Sequence, residues 1–133
     1  MFKGEAGSIL FRTFTVLYRD DVVEKALYGQ SLTPVKYEER GISAGHNITD
    51  EGVHKISKGV TSRGELIQWF GSPTLQTLNL QGDIVLCWLY VDKYRQWASD
   101  SQKRDFRVVI DEEDFVKDFD LLGMSGWNFA PFR

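Results

Sequence analysis

The longest apolar run in the chain, eight residues from Ile84 to Val91, limits what the protein can fold into more than any other feature. Such a run is too short for a membrane-spanning helix, which needs about 20 residues. It is apolar at both alternating sets of positions, so a strand here would bury both of its faces. We therefore expect a strand over residues 84–94 at the centre of an antiparallel sheet.

Capping signals predict two short helices between residues 49 and 73. Thr49 can accept hydrogen bonds from first-turn amides, and Gly59 suits the left-handed position after the first helix. Ser62 and Glu65 have the spacing of a capping box at the start of the second helix, although Thr61 could equally be the cap. Gly71 lies just before a proline and ends that helix. We expect a positive φ at both Gly59 and Gly71.

Further strands are expected around this pair of helices and the central strand. Residues 74–80 read as a short strand or approach, and residues 104–110 and 115–122 alternate apolar and polar side chains around a charged turn. The apolar positions of the helices and strands should meet in one core cluster. Its predicted members are Leu66, Phe70, Trp88, Tyr90, Phe106 and Val108.

The first 44 residues read as a separate N-terminal segment. Ser8–Tyr18 is rich in β-branched and aromatic residues and predicts a strand. Asp20 is placed to cap a short helix over Asp21–Tyr28, whose apolar residues recur at helical spacing. Ser31–Ser43 contains a proline and a charged stretch, and we expect an extended connector there.

The composition is that of one folded domain. The 133 residues are 42% hydrophobic and 26% charged, which is typical of a globular protein. The net charge of −3 disfavours a nucleic-acid partner bound through phosphate contacts. The single cysteine excludes an internal disulfide.

Several short motifs follow one another in a set order between residues 45 and 122. They are N-I-T at Asn47–Thr49, G-V-T at Gly59–Thr61, F-G-S-P at Phe70–Pro73, W-L-Y at Trp88–Tyr90, and a hydrophobic strand that ends in Asp111. This order resembles the SmpA/OmlA (BamE-like) family of small bacterial envelope proteins.

The resemblance implies an α+β, two-layer fold, with two short helices packed on one face of a small antiparallel β-sheet. It divides the single domain, residues 1–133, into an N-terminal extension with an extra strand and helix (1–44), a BamE-like core (45–122) and an aromatic tail (123–133). Members of the family are typically outer-membrane lipoproteins that face the periplasm. The resemblance therefore implies the periplasmic side of the cell envelope if the chain has been trimmed, whereas a literal reading, without a signal or lipidated cysteine, indicates a cytoplasmic protein.

We expect no catalytic residue, metal or cofactor. His46 and His54 are separated by eight positions across a loop and a helix and are interpreted as surface polar residues. Cys87 lies in an apolar strand and is expected to be a buried small hydrophobe. The acidic stretch 111–120 lacks the spacing of a calcium loop and is interpreted as a solvated hairpin.

The aromatic tail is the least ordinary feature of the sequence. Trp127, Phe129 and Phe132 either fold back over the sheet or remain exposed as anchors for a partner, a role that such side chains often have. With Trp97 they are our candidate partner-binding residues. We expect the N-terminal segment to cover the helix-free face of the central strand, which leaves the tail for a partner.

The leading functional hypothesis is a non-enzymatic protein-binding or scaffolding module that resembles outer-membrane assembly lipoproteins. Its partner would be a protein, with an envelope complex among the options. The alternative is a soluble inhibitor-like or regulatory protein of the same fold, which would also act by protein–protein binding. The sequence contains no membrane-spanning segment, and it allows a homo-oligomer.

Overall fold

The computed structural model describes residues 4–38, 41–94 and 102–125, and within these ranges the chain forms one antiparallel sheet and two short helices. The elements in chain order are β1 (Gly4–Arg19), β2 (Val22–Glu38), β3 (Gly41–Gly45), α1 (Asp50–Val53), α2 (Arg63–Phe70), β4 (Leu75–Leu78), β5 (Ile84–Tyr94), β6 (Gln102–Ile110) and β7 (Val116–Ser125). The fold is therefore β-rich.

The predicted α+β, two-layer fold is wrong, and the main reason lies in the N-terminal segment. The predicted helix Asp21–Tyr28 belongs instead to β2, which pairs with β1 in a long antiparallel hairpin. Asp20 and Asp21 connect the two strands with φ values of 50° and 63°. A two-residue turn of this kind needs positive φ at both positions, which aspartate tolerates better than most residues. Asp20 therefore forms the hairpin turn and caps no helix.

The predicted connector Ser31–Ser43 is also wrong, because it forms the second half of β2 and the start of β3. Pro34 does not interrupt the sheet. It pairs with Ser8 of β1 and lies just before the first pair of the β2–β3 ladder, Val35 with Ala44. Proline is tolerated in a strand where its missing N–H has no partner to meet.

The order of the strands is β1-β2-β3-β5-β6-β7, and β4 pairs with β5. Because β6 occupies one edge of β5, β3 and β4 share the other: β3 pairs with residues 90–94 and β4 with residues 84–87. The hairpin runs past the end of β3 and lies against β4. There Thr13 Oγ1 donates to the Gln76 carbonyl at 3.1 Å, and Ser31 Oγ donates to the Thr74 carbonyl at 2.6 Å.

The N-cap signals of both helices are confirmed, whereas the predicted end of the first helix at Gly59 is wrong, because α1 ends at Val53. Thr49 caps α1, and its hydroxyl accepts from the Gly52 amide at 3.2 Å. Ser62 and Glu65 form the predicted capping box at the start of α2. Gly59 and Gly71 have φ values of 80° and 83°, so the positive φ expected at both positions is confirmed.

The main core lies between the two helices and one face of β5, β6 and β7. Of the predicted cluster, Leu66, Trp88, Phe106 and Val108 are buried in it. Phe70 is partly buried and packs against this core, whereas Tyr90 is half-buried and lines a cleft beside it. The remaining buried members are Ile48, Ile56, Leu86, Ile110 and Val116.

A smaller cluster lies on the opposite face of the sheet and consists of Val85, Cys87 and Val109, with Leu75 at its margin. Its position confirms that the central strand buries apolar side chains on both faces. The hairpin packs mainly against β3 and β4 rather than β5. The expected cover of this face by the N-terminal segment therefore stays a prediction.

Candidate functional site

The residues that the sequence singled out for partner binding lie outside the described residues. Trp97 falls in the range 95–101, and Trp127, Phe129 and Phe132 fall in the range 126–133. The described structure therefore brings none of the four into a site. The two surface features that it does offer are an apolar face on the β1–β2 hairpin and a polar cleft beside the helices.

The hairpin exposes a row of large apolar side chains on the side that faces away from β4. Their exposed fractions run from 44% to 70%, although a protein surface usually carries such residues singly. We call this row the hairpin face, and its members are Leu10, Phe14, Tyr18, Val23, Tyr28 and Leu32.

The strand register explains why these side chains form one continuous row. Leu10 pairs with Leu32, Phe14 with Tyr28, and Tyr18 with Val23 across the hairpin. Side chains that are directly opposite on neighbouring strands share a face, so each pair is an apolar contact. Arg12 and Gln30 form a polar pair within the row.

Polar contacts on the other side of the hairpin fix its position. Near the turn, Arg19 Nη2 donates to the Leu80 carbonyl at 2.9 Å, and Lys25 Nζ donates to the Gly82 carbonyl at 2.7 Å. Arg19 also forms an ion pair with Glu24. Together with the Thr13 and Ser31 hydroxyls, these bonds direct the hairpin face away from the rest of the protein.

β1 is the outermost strand at its end of the sheet, and among the described strands it pairs with β2 alone. It is 16 residues long. Proteins usually protect such an edge with charges, prolines or a short strand, because the unpaired backbone groups can join another chain. The stretch Ser8–Tyr18 carries one charged residue, Arg12, and no proline. Between the register shifts at Glu5/Gly7 and Leu17/Tyr18, β1 therefore has little of the usual protection against strand pairing.

A cleft of about 550 Å³ opens between the end of β3, α1 and α2. Its volume is within the range of small-molecule sites, roughly 300–1,000 Å³. Its lining is mostly polar and includes two lysines and one carboxylate. The lining residues are Lys36, Ser43, Gly45, His46, Asn47, Ile48, Thr49, Glu51, Gly52, Lys55, Trp69, Phe70 and Tyr90.

Two glycines let the walls of this cleft approach closely. Gly45 has a φ of +91°, and a Cβ atom there would lie 2.0 Å from the Leu89 carbonyl oxygen. Gly71 follows α2, and a Cβ atom there would lie 3.2 Å from His46 Nε2. The Gly71 carbonyl also accepts a hydrogen bond from Trp88 Nε1 at 3.0 Å. The cleft is thus shaped by backbone that a larger residue would displace.

Cys87 is buried, as the sequence indicated. Burial raises the pKa of its thiol to about 11, and the nearby Arg107 guanidinium offsets only part of that rise. Arg107 is held by the carboxylate of Asp105, with an Nη2 to Oδ2 distance of 2.7 Å. A thiol with a raised pKa is a poor nucleophile, because the thiolate is the reactive form.

The two histidines and the acidic stretch that the sequence analysis considered also have defined places in the structure. His46 packs beside Gly71, and His54 follows the last residue of α1. The Asp111 carboxylate accepts from the amides of Glu113 at 2.8 Å and Phe115 at 3.0 Å, so it stabilises the β6–β7 turn. Across residues 4–38, 41–94 and 102–125, no group of three or more His, Cys, Asp or Glu side chains could hold a metal ion.

Sequence reasoning missed both surface features. The hairpin face was hidden because Ser8–Tyr18 is apolar at both alternating sets, so the exposed set could not be told from the covered one. Two aspartates between β-rich stretches were the available signal for the hairpin. The cleft gave no local signal, because its lining comes from four separate segments of the chain.

Comparison with known proteins identifies no family for this chain. In the part of the chain that the structure describes, no helix is long and apolar enough to cross a membrane. The chain matches no family model, no curated protein and no solved structure.

Proposed function

We propose that the protein is a non-enzymatic binding and scaffolding module that associates through the hairpin face, with a second copy of the chain as its partner. The observation that carries this proposal is the continuous row of exposed apolar side chains on a hairpin whose other side is bonded to the protein. Exposed apolar patches of this kind are typical of protein-interaction surfaces.

The size of the hairpin face is adequate for a dimer. Three of the six side chains are aromatic, with about 150–250 Å² each, and the other three are smaller aliphatic side chains. At 44–70% exposure the six together present roughly 600 Å² per copy. A symmetric contact would bury roughly 1,200 Å² in total, which is the lower end of the range for stable interfaces.

Charge favours one register of β1 against its counterpart when the two hairpin faces pack together. A two-fold axis at Arg12 would place two guanidinium groups opposite each other, which is unfavourable. An axis at Phe14 places the two Phe14 rings together and each Arg12 opposite the second copy's Val16. Symmetric self-contacts of this kind are the commonest form of protein dimer.

We also keep the SmpA/OmlA resemblance, with its envelope and lipoprotein-like associations, as a proposal. It is supported by the motif order from Asn47 to Asp111 and by the two capped helices that precede β4–β7. The family's scaffolding role is consistent with an exposed hairpin face. The hairpin itself lies outside the stretch that carries the resemblance.

Sedimentation velocity over a range of protein concentrations tests the proposed self-association. Phe14→Lys should raise the dimer dissociation constant by about 30-fold or more, because it removes a central anchor worth about 2 kcal/mol. It also places the new ammonium groups of the two copies next to each other, where they repel. Val60→Lys is the matched control, since Val60 is 69% exposed and lies away from the hairpin.

Both variants should keep the parent's circular dichroism spectrum, because the replaced side chains are exposed. A parent protein that sediments as a monomer at 100 μM, on the order of a weak interface's dissociation constant, would refute self-association. Equal effects of the two lysine variants would show that the hairpin face is not the contact surface.

A further inference from the structure

We infer that the cleft between β3, α1 and α2 binds a small molecule that carries an oxyanion, such as a carboxylate or phosphate, on a flat aromatic ring. This site shares no residue with the hairpin face, and the inference does not depend on the proposed self-association. It rests on the side chains that line the cleft, on their charges, and on the fixed backbone of its walls.

The charges of the lining favour an anion. Lys36 comes from β2 and Lys55 follows α1, whereas Glu51 is the one carboxylate in the lining. The formal charge of the lining is therefore +1 with His46 neutral, in a chain whose net charge is −3. Lysine ammonium groups bind oxyanions through charge-assisted hydrogen bonds.

Neutral polar groups in the same lining can complete the coordination of an oxyanion. The Ser43 hydroxyl and the Asn47 amide are both donors, and both residues line the cleft beside the lysines. Two ammonium groups together with such donors match the several acceptor oxygens of a phosphate or carboxylate.

Aromatic side chains supply the second half of the site. Trp69, Phe70 and Tyr90 line the cleft, and the Trp69 and Phe70 rings meet edge to face with their centroids 6.2 Å apart. Lys55 Nζ lies 6.0 Å from the centre of the Trp69 ring. A ligand whose oxyanion contacts Lys55 would therefore have the Trp69 ring close to the rest of the molecule.

The walls of the cleft are formed before any ligand arrives. Gly45 holds a close backbone approach to Leu89 at the β3 end, the His46 ring packs beside Gly71 at the α2 end, and Trp88 is hydrogen-bonded to the Gly71 carbonyl. A site that needs no ordering loses less free energy when it binds a ligand. Ligand specificity would then depend on the side chains rather than on loop closure.

Two-dimensional ¹H–¹⁵N NMR titration of the full chain tests the inference. The probes are phenyl phosphate, benzoate, inorganic phosphate and phenol. Phenyl phosphate or benzoate should shift the Trp69 indole signal saturably, and the tighter of the two identifies the oxyanion class. Inorganic phosphate and phenol should each bind about tenfold more weakly than the better probe, because each has only half of the recognised chemistry.

Variants assign the binding to the cleft. Lys36→Gln and Lys55→Gln should each weaken binding of the better probe about tenfold, since each removes one charge-assisted contact. Glu51→Gln should tighten binding about two- to threefold by removing the opposing carboxylate. Lys58→Gln is the matched control, because Lys58 also lies over an aromatic ring, that of Phe119 at 5.8 Å, but outside the cleft.

Three results would overturn the inference. The first is the absence of a saturable response to both phenyl phosphate and benzoate. The second is binding that Lys36→Gln and Lys55→Gln leave as tight as Lys58→Gln does. The third is inorganic phosphate that binds as tightly as phenyl phosphate, which would remove the aromatic half of the proposal. Phe14→Lys should leave the titration unchanged, so failure here and failure of self-association are distinguishable.

Discussion

Replacing Trp88 tests whether the helices and the sheet share one core. Trp88 is 1% exposed, and its ring centre lies 5.9 Å from that of Phe70 and 5.7 Å from that of Phe106. Truncation of a buried tryptophan to alanine usually costs about 3–5 kcal/mol. The substitution would also leave the Gly71 carbonyl without its donor, which adds about 1 kcal/mol. We expect Trp88→Ala to lower the free energy of unfolding by about 4–6 kcal/mol, most of what a small domain has.

A second substitution separates ring packing from the hydrogen bond. Trp88→Phe keeps most of the ring contacts and loses the N–H donor, so it should cost about 1–2 kcal/mol. Leu80→Ala is the control, because Leu80 is 80% exposed and its truncation should change stability by less than about 0.5 kcal/mol.

Equilibrium urea unfolding, followed by far-ultraviolet circular dichroism, measures all three variants without relying on tryptophan fluorescence. The urea midpoint should be highest for Leu80→Ala, lower for Trp88→Phe and lowest for Trp88→Ala. A Trp88→Ala variant whose free energy of unfolding lies within about 1 kcal/mol of the parent's would refute the reasoning, because removing this side chain from a well-packed core destabilises a protein by more than that.

Three further substitutions test local features. Ser62→Ala should cost about 1 kcal/mol of unfolding free energy in urea, because α2 loses its capping box. Gly45→Ala should lower the melting temperature far more than Gly59→Ala: both glycines have positive φ, but only at Gly45 would a Cβ atom strike a carbonyl oxygen, that of Leu89 at 2.0 Å. Burial raises the Cys87 thiol pKa from its ordinary value of 9.0 to about 11. The folded protein therefore holds this proton more tightly than the unfolded chain, and the resulting stability is present below pH 9 and is lost as the pH rises towards 11. The difference in unfolding free energy between the parent and Cys87→Ala should shrink over that interval, and a constant difference would contradict the raised pKa.

The sequence predicted the second half of the fold better than the first, because its signals there are local. The capping box at Ser62 and the positive φ at Gly59 and Gly71 need only neighbouring residues, and all are present. The continuous apolar run likewise indicated a strand buried on both faces. These features depend little on which other segment each element pairs with.

The N-terminal segment could not be settled in the same way. Val22, Val23, Ala26 and Leu27 fit a helical stripe, and Asp20 is as good a helix cap as it is a turn residue. What decides between helix and strand is the partner, since β1 pairs with this segment along nearly its whole length. That partner lies before the turn, so the pattern of residues 21–28 by itself does not include it. The hairpin face depends on this pairing, and the cleft depends on segments brought together by folding.

The β1–β2 hairpin and the rest of the sheet, which meet at the edge of β5 that β3 and β4 share, should differ in the free energy needed to open them. The hairpin joins the remainder through the short β3 ladder and a few side-chain bonds to β4, while much of its apolar surface faces solvent. Regions with few buried apolar contacts open at lower free energy than the core of the same domain. The amides of β1 and β2 should thus exchange with deuterium well before those of β5 and β6, through an opening that leaves the helices packed. A dimer formed through the hairpin face would slow the exchange of the β1 and β2 amides before that of the other strands, so the exchange rates would show which strands take part in assembly.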